Sequence, residues 1–565
     1  MHIWRVNVGN QTMSRTPVPK YWQELGGRGL IARILLDEVP PTCEPLGPLN
    51  KVVYSPGLLV GHGLSSCDRI SVGAKSPLTR GIKESNAGGT TGYQMTSLGI
   101  KALIIEGEPQ DNHWWLLHIS NEGFKFEPAD DLVGLGVYQT ARVLLNRYGP
   151  KIAISIIGPG GEMQLPTAGI LNLDKDQTPS RINARGGIGA VLGSKKIKAI
   201  IINGNQGKKP PIAHPEDFKK AQKEFTQALM THPQTAIYRD YGTAAIAGMS
   251  NSLGGLPTRN FSQGQFEGID TINGERLREV LLKRGGKSNP SHACMAGCTI
   301  RCSNVFADEN GDEVVSPLEY ETIGLLGSNL GIDNLDWIAR LNYEVNDLGL
   351  DSIEVGAALG IAAEAGLFLF GDAEKAFELI KGIRMGTPLG LLIGNGASWT
   401  GKTLGVQRIP TVKNQAISAY DPRAIKGTGV TYATSPQGAD HTAGLTIRAK
   451  VDHTNPVGQV ALSRNAQLNN AGYDTLGVCV FASFGFAAIP TAIRGLLNAR
   501  YDWRVSQNIL QELGRKTIEL EREFNRGAGF AAEDDRIPKW MTKEPLEPTN
   551  AVFDVPENEL DEIFF

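Results

Sequence analysis

The chain has 565 residues, with 56 Lys and Arg against 59 Asp and Glu and a formal net charge of −3. At this length about two to four domains are expected, enough to enclose a deep cofactor site. The even charge, with no long run of either sign, excludes a nucleic-acid surface or a basic membrane patch and favours small-molecule chemistry.

The opening "MHIWRVNVGN" alternates as a strand does and lacks the basic leader and apolar core of a secretory signal, so a cytoplasmic location is expected. Short β-branched runs then recur between Gly and Pro: "KVVYSPG", "DRISVGAKSP", "KALIIEG", "KIAISIIGPGG" and "KIKAIIINGN". They predict a β-rich N-terminal domain over 1–205.

Two glycine-rich segments stand inside it. In "KESNAGGTTGYQ", Asn86 offers a donor and an acceptor just ahead of Gly88 and Gly89. In "RGGIGAVLGSKKIKAI", Arg185 precedes Gly186 and Gly187, but the spacing does not spell G-x-G-x-x-G. The strand that follows leaves no room for a crossover helix, which argues against a dinucleotide fold. Clustered glycines expose backbone N–H groups to an anion, and Arg185, Lys195 and Lys196 add positive charge. A phosphate-bearing cofactor is one reading, and a tight hairpin is the other.

After the linker "GNQGKKPPIAHPEDF" the period becomes helical, in "FKKAQKEFTQALMTH" and "NGERLREVLLKRG". A second boundary is expected near "MGTPLGLLIGNGASWTGKTLGVQRIP", giving helical domains at 206–410 and 411–565. The longest apolar stretch, "VGAALGIAAEAGLFLFG", contains Glu364 and is shorter than a bilayer requires, so it predicts a buried helix and no membrane span.

Three of the six cysteines, Cys294, Cys298 and Cys302, fall within "HACMAGCTIRCSN". On one straight helix they would spread over about 12 Å of axis, at about 1.5 Å per residue. If they share a site the backbone must curl, and Gly297 permits that. Three clustered thiolates with one remote partner favour an iron–sulfur cluster. A zinc site or plain burial are the alternatives. The internal echo of "NDLGLD" (Asn346 to Asp351) in "DTLGVC" (Asp474 to Cys479) makes Cys479 the candidate fourth ligand. Cys43 and Cys67 have no such company and read as small buried hydrophobes.

Acid–base candidates lie in "SPLEYETIGLLG", with Glu319 and Glu321, and in "TSPQGADHTAG", with Asp440 and His441. A carboxylate with an imidazole is the commonest acid–base pair. Each residue alone is more often structural.

"DRISVGAKSPLT", "SNAGG", "RGGIGAVLGSKKIKAI", "EYET", "NDLGLD", "GADHTAG" and "DTLGVC" stand in an order that resembles the tungsten-containing aldehyde:ferredoxin oxidoreductases. The resemblance implies an α/β (α+β) fold whose N-terminal β domain forms the base of a bis-pterin site under two mainly helical domains. It implies tungsten (or molybdenum) held by two molybdopterins, Mg2+ bridging their phosphates, and a [4Fe-4S] cluster on Cys294, Cys298, Cys302 and Cys479. Arg69, Asn86, Gly88, Gly89, Arg185, Gly186 and Gly187 match phosphate-binding positions. Asn346, Gly349, Leu350 and Asp351, with Asp474, Gly477 and Val478, match two pterin grips. Asn346 departs from the family's Asp, and the C-x3-C-x3-C spacing departs from its usual C-x2-C start.

The activity so implied is oxidation of an aldehyde to a carboxylic acid with water as oxygen source. Tungsten would cycle between its VI and IV states, and electrons would pass to ferredoxin or a ferredoxin-like subunit. Glu319 would be the general base, and His441 would polarise the carbonyl. A homodimer or hetero-oligomer is expected. The alternatives are a low-potential reductase subunit acting on an activated acid and a non-catalytic relay subunit.

Overall fold

The computed structural model describes residues 1–564. Its first 203 residues form two six-stranded sheets of one topology. The first comprises β1 (His2–Asn7), β2 (Thr12–Pro17), β3 (Val52–Pro56), β4 (Ile70–Lys75), β5 (Ile82–Ala87) and β6 (Ile100–Glu106), in the order β2-β1-β6-β3-β4-β5. The second comprises β7 (Trp115–Ser120), β8 (Gly123–Pro128), β9 (Ala153–Ile156), β10 (Ile170–Leu173), β11 (Pro179–Asn183) and β12 (Ile197–Asn203), in the order β11-β10-β9-β12-β7-β8.

In each sheet only the first and last strands in sequence pair in parallel, β1 with β6 and β7 with β12. Every predicted strand run lands on one of these elements, because the inner strands are buried on both faces and carry almost unbroken β-branched sequence. The duplication itself has little sequence signal. It equates Asn86 with Asn183 and Gly89 with Gly186, each in the turn where an edge strand gives way to a short helix, Thr91–Ser97 or Ile188–Ser194. Of the two readings at Arg185, the tight hairpin is not what forms: a strand–helix turn stands there. The helix thought to have no room exists, at seven residues.

The chain beyond the last strand is mainly helical, starting with Pro215–Thr231. Packing ignores the expected division near 410, because one core joins Ala244 through Tyr432 to Ile563. A second core packs Phe218, Phe225 and Leu229 against Phe486, Leu496 and Phe524 and against Leu30 and Leu35 of the first half. The apolar stretch from Val355 belongs to the buried helix Ser352–Glu364. Among the described residues no single helix is long and apolar enough to cross a membrane.

Each echoed motif ends a helix on a left-handed glycine. Leu335–Leu348 stops at Gly349 (φ +73°) and Gln459–Leu476 at Gly477 (φ +77°). These are the C-terminal glycine stops that terminate helices. Each stop sits against the end of a strand. A Cβ on Gly158 after β9 would lie 2.3 Å from Leu348 O, and one on Gly57 after β3 would lie 2.0 Å from Gly477 N. The two helices thus seat on equivalent places of the duplicated base.

Candidate active site

The cysteine segment is a loop between the antiparallel strands Asn289–His292 and Ser303–Ala307. Gly297 has φ +72°, the left-handed turn predicted for it. All the cysteines are free. Ser66 links the remote one to the loop: its Oγ lies 3.2 Å from Cys298 Sγ, and its carbonyl accepts from Cys479 N at 2.9 Å. Hydrogen bonds from the Cys294 thiol, then Ser66 and the backbone N–H groups of Arg301 and Ile300, hold the Cys298 thiol below its ordinary range. The charge of Cys298 is felt at Cys294, Cys302 and Cys479. Ser66 therefore joins Cys298 of the loop to Cys479 of the "DTLGVC" motif.

Among the described residues no three His, Cys, Asp or Glu side chains converge as a single metal ion would need. Cys67 is fully buried and donates to Ser65 O at 3.2 Å, and Cys43 is buried elsewhere.

The Asn86 turn meets this loop, since a Cβ on Gly88 would stand 3.0 Å from Cys294 Sγ. Gly89 (φ +105°) packs a backbone where a Cβ would fall 2.6 Å from Leu173 O. Arg69 binds Asn86 twice, through Oδ1 and, at 2.9 Å, through the carbonyl, and its N–H donates to Gly477 O. Arg69 thus ties the glycine turn to the "DTLGVC" motif.

Asp474 accepts from the buried Arg28 at 3.2 Å, and Arg28 also makes a two-point bond to Glu521 at 2.7 and 2.8 Å. Burial and the neighbouring Asp474 push Glu84 up to about 8; burial likewise lifts Asp474 to about 6 despite Arg28. Glu84 Oε1 is buried without a partner.

Arg185, expected at a phosphate, is buried and anchored on protein groups. Its guanidinium donates to Asp351 Oδ2 at 3.2 Å, Ser418 Oγ at 3.1 Å, Ala416 O at 2.6 Å and Ala439 O, so four of its five N–H groups bond inside the protein. Asp351, expected in a pterin grip, binds that guanidinium and caps the next helix by accepting from Ile353 N at 3.0 Å. Gly186 and Gly187, both with positive φ, form the turn behind Arg185, with Ser76 Oγ donating to Gly186 O at 2.7 Å. Val478 and Leu350 are buried after their glycine stops. Asn346 sits in the last turn of its helix, while the adjacent Asp347 accepts from Tyr138 N at 3.0 Å and Arg384 at 2.6 Å.

His441 Nδ1 lies 3.0 Å from Ser418 Oγ, and its Nε2 lies 3.4 Å from Glu321 Oε1. Glu321 Oε2 accepts from Ala419 N at 2.8 Å, while Oε1 is buried with no hydrogen-bond partner. Burial raises the Glu321 carboxyl above its ordinary range, with His441 pulling the other way. Glu319, the expected base, instead accepts from Thr243 Oγ1 and is felt at Cys302. The structure therefore brings Glu321, not Glu319, to His441. Asp440 is ion-paired to Lys83 at 2.6 Å; burial pushes its carboxyl up, but Lys83 and Arg185 outweigh burial and hold it well below the usual range. The rings of Tyr320, Tyr420 and Tyr432 are buried around Glu321, and the Tyr432 hydroxyl has no partner.

The site elements are thus a duplicated glycine-lined base, a cysteine loop joined to Cys479 through Ser66, and a half-buried acid–imidazole pair. The model described as "Aldehyde ferredoxin oxidoreductase, N-terminal domain" matches residues 3–204, and "Aldehyde ferredoxin oxidoreductase, domains 2 & 3" matches 220–564. The chain belongs to the aldehyde ferredoxin oxidoreductase family.

It is 31% identical to the tungsten-containing aldehyde ferredoxin oxidoreductase of Thermococcus kodakarensis, over 95% of this chain and 91% of the relative. Identity to the protein of that name from Pyrococcus furiosus is also 31%, over 93% and 88%. The WOR-like subunit of the aliphatic sulfonate oxidoreductase of P. furiosus is 27% identical, over 92% and 84%. A solved structure titled as the active site complex BamBC of benzoyl coenzyme A reductase superposes with a TM-score of 0.80 at 18% identity, covering 100% of this chain and 92% of that one. That likeness speaks for the fold. As an aldehyde ferredoxin oxidoreductase family member, the chain is an oxidoreductase by descent, with a sheet-rich N-terminal domain and helical domains.

Proposed function

We infer that this family member oxidises aldehydes to carboxylic acids with water as the oxygen source and delivers the electrons to a ferredoxin-like carrier. The observation that carries the reading is the Glu321–His441 pair, with an orphaned buried Oε1, in a chain that also ties Cys479 to the cysteine loop through Ser66. Per aldehyde, RCHO + H2O gives RCOOH with two protons and two electrons released.

The residues present fit a tungsten (or molybdenum) bis-pterin and a [4Fe-4S] cluster. Gly88 and Gly89 open a cradle that a Cβ would fill, Arg69 and Asn86 border it, and Glu84 and Glu321 keep buried oxygens without partners. Cys294, Cys298, Cys302 and Cys479 would hold the cluster, Arg69 and Asn86 the pterin phosphates with their Mg2+, and Asp474 one pterin edge. When bound, these groups supply a two-electron acceptor and a one-electron relay.

The chain's own contribution is proton handling. Arg185 donates to Ser418 Oγ, leaving the hydroxyl proton for His441 Nδ1 and the ring's own proton on Nε2, facing Glu321. Nε2–H can then polarise an aldehyde oxygen while the Glu321 carboxylate takes a proton from water or the aldehyde hydrate. Burial raises the basicity of that carboxylate.

A second reading, a low-potential reductase subunit acting on an activated acid, draws on the near full-length match to the WOR-like subunit. Anaerobically purified protein assayed for W, Mo and Fe and for viologen reduction by a panel of aldehydes separates the two. Aldehyde-dependent reduction supports the first, metal without it supports the second, and zinc in place of both overturns the cofactor reading.

A further inference from the structure

Arg181, on the edge strand β11, is 8% exposed and lies beside the cysteine loop. The other buried arginines of the centre are matched by carboxylates, Arg28 by Glu521 and Asp474 and Arg185 by Asp351. Arg181 has hydroxyls instead. Its Nε donates to Ser180 Oγ at 3.1 Å, and its Nη2 donates to Ser303 Oγ at 2.9 Å and reaches Ser316 Oγ at 3.5 Å. Ser303 directly follows Cys302. Among the described residues, no carboxylate forms an ion pair with Arg181. Its Cβ would lie 3.6 Å from a Cβ on Gly89, and a Cβ on the adjacent Gly88 would lie 3.0 Å from Cys294 Sγ.

The duplicated base sharpens the point. Glu84 on β5 faces Gly73 of β4, and Arg181 on β11 faces Asn172 of β10 at the equivalent place. One half carries a carboxyl there, and the other carries a guanidinium held by hydroxyls, one of them on Ser303 next to Cys302.

We propose that Arg181 is a positioning residue for electron transfer, whose unpaired charge raises the reduction potential of the cluster held by Cys294, Cys298, Cys302 and Cys479. The inference rests on the function proposed above. The physical reason is that adding one electron to an anionic cluster is favoured by a nearby cation that is not ion-paired. Coulomb interactions are strong where burial keeps water away. Serine hydroxyls hold the guanidinium in place without cancelling its charge. Arg69 acts on the Cys479 side and Glu319 on the Cys302 side, and Glu319 opposes Arg181.

The test is an EPR-monitored redox titration of the full chain, purified anaerobically, for wild type, R181Q and R181K. R181Q is expected to keep its iron and cluster spectrum while the midpoint falls by at least a tenfold change in the reduction equilibrium, about 59 mV for a one-electron couple. R181K is expected to stay near wild type. An iron-loaded R181Q with an unmoved midpoint overturns the proposal, and so does an R181K that falls as far as R181Q. Loss of iron from R181Q also counts against it, since Arg181 would then be holding the loop. A wild-type chain without iron overturns the proposed function instead.

Discussion

His441 Nε2 stands 3.4 Å from Glu321 Oε1, a carboxylate oxygen that is buried and otherwise unpartnered. The imidazole is held from behind by Ser418, and Ser418 by Arg185, whose guanidinium is itself anchored on Asp351. An arginine that reads in sequence as a phosphate binder is thus hydrogen-bonded, through Ser418, to His441.

The first prediction separates two glutamates two residues apart. Glu321→Gln is expected to keep metal and iron while aldehyde turnover falls at least about a hundredfold, the scale of losing a general base. Glu319→Gln, which alters a bond to Thr243, should change turnover far less. The reverse ranking in steady-state assays would return the role to Glu319.

The pH dependence follows from the same carboxyl. Burial raises Glu321, so its basic form is reached only at higher pH than an ordinary glutamate needs. The acid limb of kcat/KM should therefore rise at a pH above the usual carboxylate range and disappear in Glu321→Gln. A limb that survives that substitution would belong to another group.

Most of the fold was legible, and the site only partly. Inner strands such as "KALIIEG" announce themselves because burial on both faces forces β-branched residues. The duplication was hidden because a strand frame constrains residue type, not identity, leaving Asn86 and Asn183 ahead of glycine turns as the visible trace. One apolar core includes residues on both sides of 410, which helical period does not reveal, because it reports a buried face without saying which core receives it. "EYET" offered two carboxylates at the start of one short helix, and only the backbone shows which faces His441. Ser418, in "AISAYDP", carries no motif at all.

Electrostatics within the base give a stability prediction. Glu84 and Asp474 are raised to about 8 and about 6, so the folded apo-protein holds protons that the unfolded chain releases near the ordinary carboxylate values. Their contribution favours folding below about pH 4 to 5 and is lost as pH rises through about 6 to 8. Glu84→Gln should flatten the fall in apo-protein Tm across that window. A wild-type Tm that is flat from pH 5 to 8 would refute it.

Removing one side of the Arg28 pair should cost far more than removing a surface ion pair. Arg28→Met leaves Glu521 buried with the charge of Asp474 nearby, and breaking a buried pair from one side costs about 3 to 5 kcal/mol. Arg80→Met, which loses an exposed bond to Glu44, should cost less than about 1 kcal/mol. Denaturant melts of both variants check the ranking.

The last prediction concerns how the "DTLGVC" motif is seated. A Cβ on Gly57 would lie 2.0 Å from Gly477 N and 2.2 Å from Leu476 C, both backbone atoms that cannot rotate away. The only relief is to lift the motif from the end of β3. That lift would break the bond from Leu59 N to Leu476 O at 2.9 Å and carry Cys479 away from Ser66. Gly57→Ala is thus expected to lose the remote cluster ligand first, lowering iron content while the helical signal persists, with about 1 to 3 kcal/mol or more of lost stability. Gly63→Ala, at a positive-φ position with nothing within 4 Å of its Cβ, is the control for backbone strain alone. If both variants keep full iron, the close approach of the two glycines does not position Cys479.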